Sequence, residues 1–172
     1  MKSFINNLLV ILLFVSCNTV QKEKEQKDIT LIIPGKYAEG FTLNETATSD
    51  ERATQINTSS IPELLSSISG NNQIPYFSFN RIVYLKNRYA LFTDNGVIKL
   101  IAGLSSADRI TDDAVKLTDG VDNFIMNYGN SGLDIVNKDG HRIYLYKEMG
   151  IAIFDDNTDN SIEMYIVFSP VE

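Results

Sequence analysis

Val121-Asp122-Asn123-Phe124-Ile125-Met126-Asn127-Tyr128 places apolar residues at i, i+3, i+4 and i+7, which is one face of a helix. Sixty positions earlier, Ile61, Leu64, Leu65 and Ile68 repeat the spacing. Both stretches carry helix punctuation. Ser60-Ile61-Pro62-Glu63 has capping-box spacing with proline in the first turn, and Gly70 lies beyond the end. Asp119 stands where it can cap the second stretch, and Gly129 stops it.

Three strand patterns follow each helix, and they repeat too. Arg81-Ile82-Val83-Tyr84-Leu85 matches Arg142-Ile143-Tyr144-Leu145-Tyr146 at an offset of 61. Ala90-Leu91-Phe92-Thr93-Asp94-Asn95 matches Ala152-Ile153-Phe154-Asp155-Asp156-Asn157 at 62, and Val97-Ile98-Lys99-Leu100-Ile101 matches Ser161-Ile162-Glu163-Met164-Tyr165 at 64. The offset grows only across loops. The last two strands of each set are joined by a hairpin, at Asp94-Asn95-Gly96 and at residues 155–160.

Three strands with one apolar face need cover, and the amphipathic helix supplies it. The expected fold is α+β: two tandem units, each a helix packed on a three-stranded antiparallel sheet, over residues 37–104 and 105–172. Related lead-ins, Ala38-Glu39-Gly40-Phe41-Thr42 and Ala107-Asp108-Arg109-Ile110-Thr111, precede the helices at an offset of 69. The surplus in the first copy falls in the Thr/Ser-rich stretch 46–60, a candidate mobile loop.

Upstream of both units lies a segment of another kind. Lys2 precedes Leu8-Leu9-Val10-Ile11-Leu12-Leu13-Phe14-Val15, an apolar run too short to span about 30 Å of hydrocarbon. It reads as an export signal over residues 1–16. The run ends in Phe14-Val15-Ser16-Cys17, which resembles the lipobox of bacterial lipoproteins, with Phe14 in place of the usual Leu. The resemblance implies that Cys17 receives diacylglycerol and a further acyl chain such as palmitate, becomes the first mature residue and holds the protein on a membrane. Multiple chains anchor stably, at about 0.8 kcal/mol per buried CH₂. Residues 17–36 form the lipidated Cys and a charged tether, in which Lys22, Lys24 and Lys27 balance Glu23, Glu25 and Asp28. Asn18 is not the Asp that retains enterobacterial lipoproteins at the inner membrane, so an outer-membrane location is favoured.

The chain of 172 residues has 15 Lys and Arg against 22 Asp and Glu, one Cys, one His and no Trp. This excludes a Cys/His zinc cluster and an internal disulfide, and it leaves no basic field for nucleic acid. Without residues 1–16, which hold Lys2 alone, the balance is 14 to 22 and the side-chain charge is -8. Electrostatic docking to anionic lipid is disfavoured.

A helical element followed by a three-stranded antiparallel sheet, present twice in an exported chain, resembles the β-lactamase-inhibitor-protein-like repeat and the small outer-membrane-assembly lipoproteins of the SmpA/OmlA type. The matching elements are the span from Asp119 to Gly129, and Gly150-Ile151-Ala152-Ile153-Phe154 through Ile162-Glu163-Met164-Tyr165-Ile166. The resemblance implies a non-enzymatic protein that binds an envelope protein through its sheet face or loops. Two features depart from it: the lead-in helices are polar here, and no cysteine pair pins them.

Tyr76-Phe77-Ser78-Phe79 is an aromatic cluster ahead of the first strand; Tyr76, Phe77 and Phe79 suit either core packing or a partner-binding patch. His141 beside Asp139-Gly140 reads as a solvent-facing turn residue rather than a general base. Asp155, Asp156, Asn157, Asp159 and Asn160 read as a solvated hairpin tip with oxygen enough for weak Ca²⁺ contacts, although Asn160 and Ile166 stand where an EF-hand needs Gly and Glu. Asp112-Asp113 reads as dipole complementation at a helix start. No catalytic residue, metal centre or cofactor is expected. A binding or scaffolding lipoprotein is the leading expectation, and a small-ligand carrier or enzyme accessory with a pocket between the units is the alternative.

Overall fold

The computed structural model describes residues 27–47, 54–55, 81–85, 88–103, 107–138, 140–156 and 159–171. Cys17, the helical pattern Ile61 to Ile68 and the cluster Tyr76, Phe77 and Phe79 lie outside them. The fold is α+β and mostly sheet, with one short α-helix among the described residues.

Four short pieces precede the main strands: β1 (Leu31–Ile32), β2 (Tyr37–Ala38), β3 (Phe41–Thr42) and β4 (Thr54–Gln55). Then come β5 (Arg81–Leu85), β6 (Tyr89–Asp94) and β7 (Val97–Gly103). After β8 (Ile110–Thr111), a 3-10 turn at Leu117–Asp119 enters α1 (Gly120–Tyr128). The chain continues as β9 (Leu133–Lys138), β10 (His141–Tyr146), β11 (Ile151–Asp155) and β12 (Met164–Phe168).

Instead of two separate three-stranded sheets, one eight-stranded antiparallel sheet runs β4-β5-β6-β7-β12-β11-β10-β9. The ladder reproduces the offsets read from the sequence. Ile82 pairs with Phe92 as Ile143 pairs with Phe154, and Tyr84 with Ala90 as Leu145 with Ala152. Leu91 opposite Ile101 answers to Ile153 opposite Tyr165. The triplets meet where β7 pairs with β12, and this seam is self-complementary: Ile101 opposite Val167 is matched by Tyr165 opposite Gly103, about a local dyad at Ala102 and Ile166. The third strand of the second set starts at Met164 rather than Ser161, because Ser161 is drawn into a turn by Asp159 Oδ1 and Glu163 Oε1.

Both faces of the central strands are apolar, not one. Tyr89, Leu91, Ile101, Ile153, Tyr165 and Val167 point to the face that carries α1 and the lead-ins. Phe92, Leu100, Ala102, Phe154, Met164 and Ile166 form a second buried cluster on the other face, made of strand residues alone among those described. Hence both strands are buried along their whole length and do not alternate: Ile151-Ala152-Ile153-Phe154 is apolar before the closing Asp155, and Met164–Phe168 is apolar but for the Tyr165 hydroxyl. The turn between β6 and β7 is as expected: Asn95 and Gly96 have φ of 49° and 80°, the paired left-handed conformation of a two-residue hairpin.

The lead-ins are not helical. In the first, Glu39 and Gly40 turn β2 into β3; in the second, β8 lies parallel to β1. Their kinship survives in the backbone, since Glu39 and Asp108, matched at the offset of 69, have φ of 53° and 57°.

The α1 face is as expected, with Val121 and Phe124 buried and Ile125 and Tyr128 packed at its margin. Gly129 ends the helix, its N–H donating to Ile125 O at 2.7 Å. Asp119 holds the cap position, but its side chain makes no capping bond. The first free helical N–H groups go to the hairpin instead: Val121 N–H donates to Asn160 O and Asp122 N–H to Asn160 Oδ1, both at 3.0 Å. Asn160→Ala should therefore cost about 1–2 kcal/mol, from the lost cap and from a methyl side chain at φ 65°. Asp119→Ala should leave the denaturant midpoint almost unmoved.

Candidate functional site

The polar constellation with the most internal order was not recognised from sequence, because its members lie 39, 88, 109 and 165 along the chain. Glu39 sits at the β2–β3 turn, Arg109 one residue before β8, Tyr165 in β12 and Arg88 just before β6. Arg109 grips the Glu39 carboxylate with two nitrogens, Nε to Oε1 at 2.6 Å and Nη2 to Oε2 at 2.9 Å. The Tyr165 hydroxyl donates to the same Oε1 at 2.6 Å, and Arg109 Nη1 donates to Ala107 O at 3.1 Å. Arg88 Nε stands 3.4 Å from Oε2, on the solvent side of an otherwise buried cluster.

The backbone makes room for this. Gly103 faces Tyr165 across the seam, and a Cβ there would lie 2.2 Å from the tyrosine ring. The ring crosses over a residue that can only be glycine, which brings its hydroxyl to the lead-ins. Burial opposes the charge on Arg109, but the hydrogen bonds and charge of Glu39 outweigh it and hold the guanidinium above its ordinary range. Burial, reinforced by the Glu39 charge, keeps the Tyr165 hydroxyl protonated far above the usual phenol range.

Chemically this is a lock. Both carboxylate oxygens are engaged by donors, which binds the first lead-in to the second and both to the central seam. Breaking a buried pair from one side leaves an uncompensated charge.

The residues singled out from the sequence fall elsewhere and are not brought together. His141 begins β10 and is half-buried rather than solvent-facing; its Nδ1 is out of solvent, with no hydrogen-bond partner among the described residues. Asp112 and Asp113 are exposed, but they lie in the turn after β8, well ahead of Gly120, so they complement no helix dipole. Nearby Tyr128 is pushed up to about 12 by burial and, to a smaller degree, by these two charges.

At the β11–β12 connection, Asp155 is buried rather than part of a solvated tip. It clusters with Asp156 and Glu163, whose carboxylate oxygens approach within 4.8 Å of one another. Glu163 already serves the turn: Oε2 accepts the Asp156 N–H at 2.9 Å and Oε1 the Ser161 hydroxyl at 2.6 Å. The acidic group therefore shapes the connection that carries Asn160 to α1.

Three tyrosines on the α1 side of the sheet give a pH signature. Tyr128, Tyr146 and Tyr165 all have raised folded-state values, chiefly from burial. An unfolded phenol titrates near 10, so below about pH 10 their contribution to stability is complete; above it the unfolded chain releases protons that the folded chain retains, and stability falls. Of the eight tyrosines in the chain, these three should contribute to a late tyrosinate step that coincides with loss of circular dichroism, so Tyr128→Phe, Tyr146→Phe and Tyr165→Phe should each remove amplitude from that step. Amplitude lost instead from a rise near pH 10 in the folded protein would show that these hydroxyls are wet.

No family model matches the chain, and neither the curated proteins nor the solved structures contain a match.

Proposed function

We propose that this is a lipid-anchored envelope protein that works by binding another protein and performs no catalysis. The observation that carries the reading is the apolar run ending at the single cysteine, Phe14-Val15-Ser16-Cys17, followed at once by a charged tether. Export and acylation of Cys17 follow from it; Asn18 after the cysteine favours an outer-membrane position, and Tyr76, Phe77 and Phe79 are the patch offered to the partner.

Two tandem helix-on-sheet units are part of the same reading. In support, the offsets of 61, 62 and 64 that relate the strand sequences also relate the ladder pairs, and α1 covers the second set of strands. The pattern Ile61, Leu64, Leu65 and Ile68 is then the counterpart of α1. A ligand pocket between the units is disfavoured, since Ile101, Ala102, Tyr165, Ile166 and Val167 close the seam with no exposed surface.

Radiolabelled palmitate should enter the wild-type chain and not Cys17→Ser, which should also lose processing and leave the membrane fraction. Crosslinking in the intact envelope should give one discrete adduct that Tyr76→Ala/Phe77→Ala weakens. Normal cleavage and membrane partition of Cys17→Ser would overturn lipidation; turnover of a substrate by the purified chain would overturn the non-catalytic reading.

A further inference from the structure

The two ends of the sheet differ. At one end β4 is two residues long, whereas β9 at the other is six residues long and pairs only with β10 among the described residues. A long strand with one unpaired edge is a template for another strand. Its middle is apolar and open: Ile135 is 53% exposed, flanked by exposed Asp134 and Asn137.

The hydrogen-bond parity of this edge follows from its hairpin. Two residues separate Lys138 from its partner His141, so these two form the hydrogen-bonded closing pair. By alternation, residues 134, 136 and 138 bond to β10, and Leu133, Ile135 and Asn137 turn N–H and C=O outward. In keeping with this, Leu133 N–H is directed to Asn130 O and not to β10.

We infer that β9 is a self-association edge, which pairs antiparallel with β9 of a second copy about a dyad at Val136. In that register Val136 meets Val136, each Ile135 lies beside Asn137 of the other copy, and positions 134 and 138, which are Asp and Lys in the sequence, stand opposite each other across the dyad. Two opposite-charge pairs thus flank an apolar pair, and the outward-turned groups of residues 135 and 137 bond each other. A shift of two residues would set Asp134 against Val136 and lose both charge pairs. Like charges directly opposed destabilise a ladder and opposite charges support it, so the charges select the register. Asp134 also contacts Lys147 Nζ at 2.5 Å within its own chain, but both groups are about half exposed and the pair leaves carboxylate lone pairs free. The inference does not depend on lipidation or on a catalytic or non-catalytic role.

Sedimentation velocity of the full chain in mild detergent, over a hundredfold range of concentration, tests it. Wild type should shift from monomer to dimer. Asp134→Lys and Lys138→Asp should each weaken the dimer about tenfold or more, and the double exchange should restore it. Ile135→Pro removes an outward N–H that β10 does not use, so it should abolish the dimer while circular dichroism and thermal midpoint stay near wild type. A monomer at every concentration would overturn the inference. So would a dimer indifferent to these substitutions, or one that the double exchange fails to restore.

Discussion

Arg109→Ala is expected to destabilise the chain by about 3–5 kcal/mol, a large share of the stability of a domain this size. The substitution strands the Glu39 carboxylate, fully buried, with Tyr165 and the more distant Arg88. Arg109→Lys should recover only part of the loss, because an ammonium cannot bond both oxygens at once. The discriminating variant is Glu39→Gln/Arg109→Met, which removes both charges together and should cost clearly less than the sum of its single changes. Denaturant midpoints at constant slope provide the comparison. A cost below about 1 kcal/mol for Arg109→Ala would mean that the pair behaves as a surface ion pair.

Phe124→Ala should cost a similar amount, about 3–5 kcal/mol. Its ring is wholly buried, with its centroid 4.5 Å from that of Tyr128 and 5.9 Å from that of Tyr146, and the Tyr146 hydroxyl donates to Gly129 O at the end of α1. Removing it opens a cavity between helix and sheet and loosens both tyrosines. Ile125 belongs to the same apolar stripe but is only half-buried, so Ile125→Ala should cost about 1–2 kcal/mol. Equal losses at the two positions would place α1 a fraction of a turn from its described orientation.

What could be read from the sequence was whatever repeats or alternates locally. The strand patterns from Arg81 and Arg142 onward, the Asn95-Gly96 hairpin and the Gly129 stop depend on neighbours a few residues away, and they stand where periodicity puts them. β9 was missed although Leu133-Asp134-Ile135-Val136, followed by Asp139-Gly140 and a strand, is itself a hairpin signal. The Glu39, Arg109 and Tyr165 cluster had no such signal. Its members are polar residues scattered over 126 positions, and only the pairing of β7 with β12 makes them neighbours. Asp119 failed as a cap for a related reason: Asn160 from another hairpin reaches the N–H groups first.

The strand order has a consequence for how the chain folds. β12, the last strand of the described chain, lies at the middle of the sheet between β7 and β11. The strands made before it cannot complete a sheet in order of synthesis: until β12 arrives, β7 and β11 both present apolar strands with bare edges. Its contacts with Leu100, Ile101, Ala102 and Gly103 span more than sixty residues, which raises the contact order and places loop closure in the rate-limiting step. The chain should fold slowly and unfold all at once, and its partly folded form should be prone to aggregate until the central strand has docked.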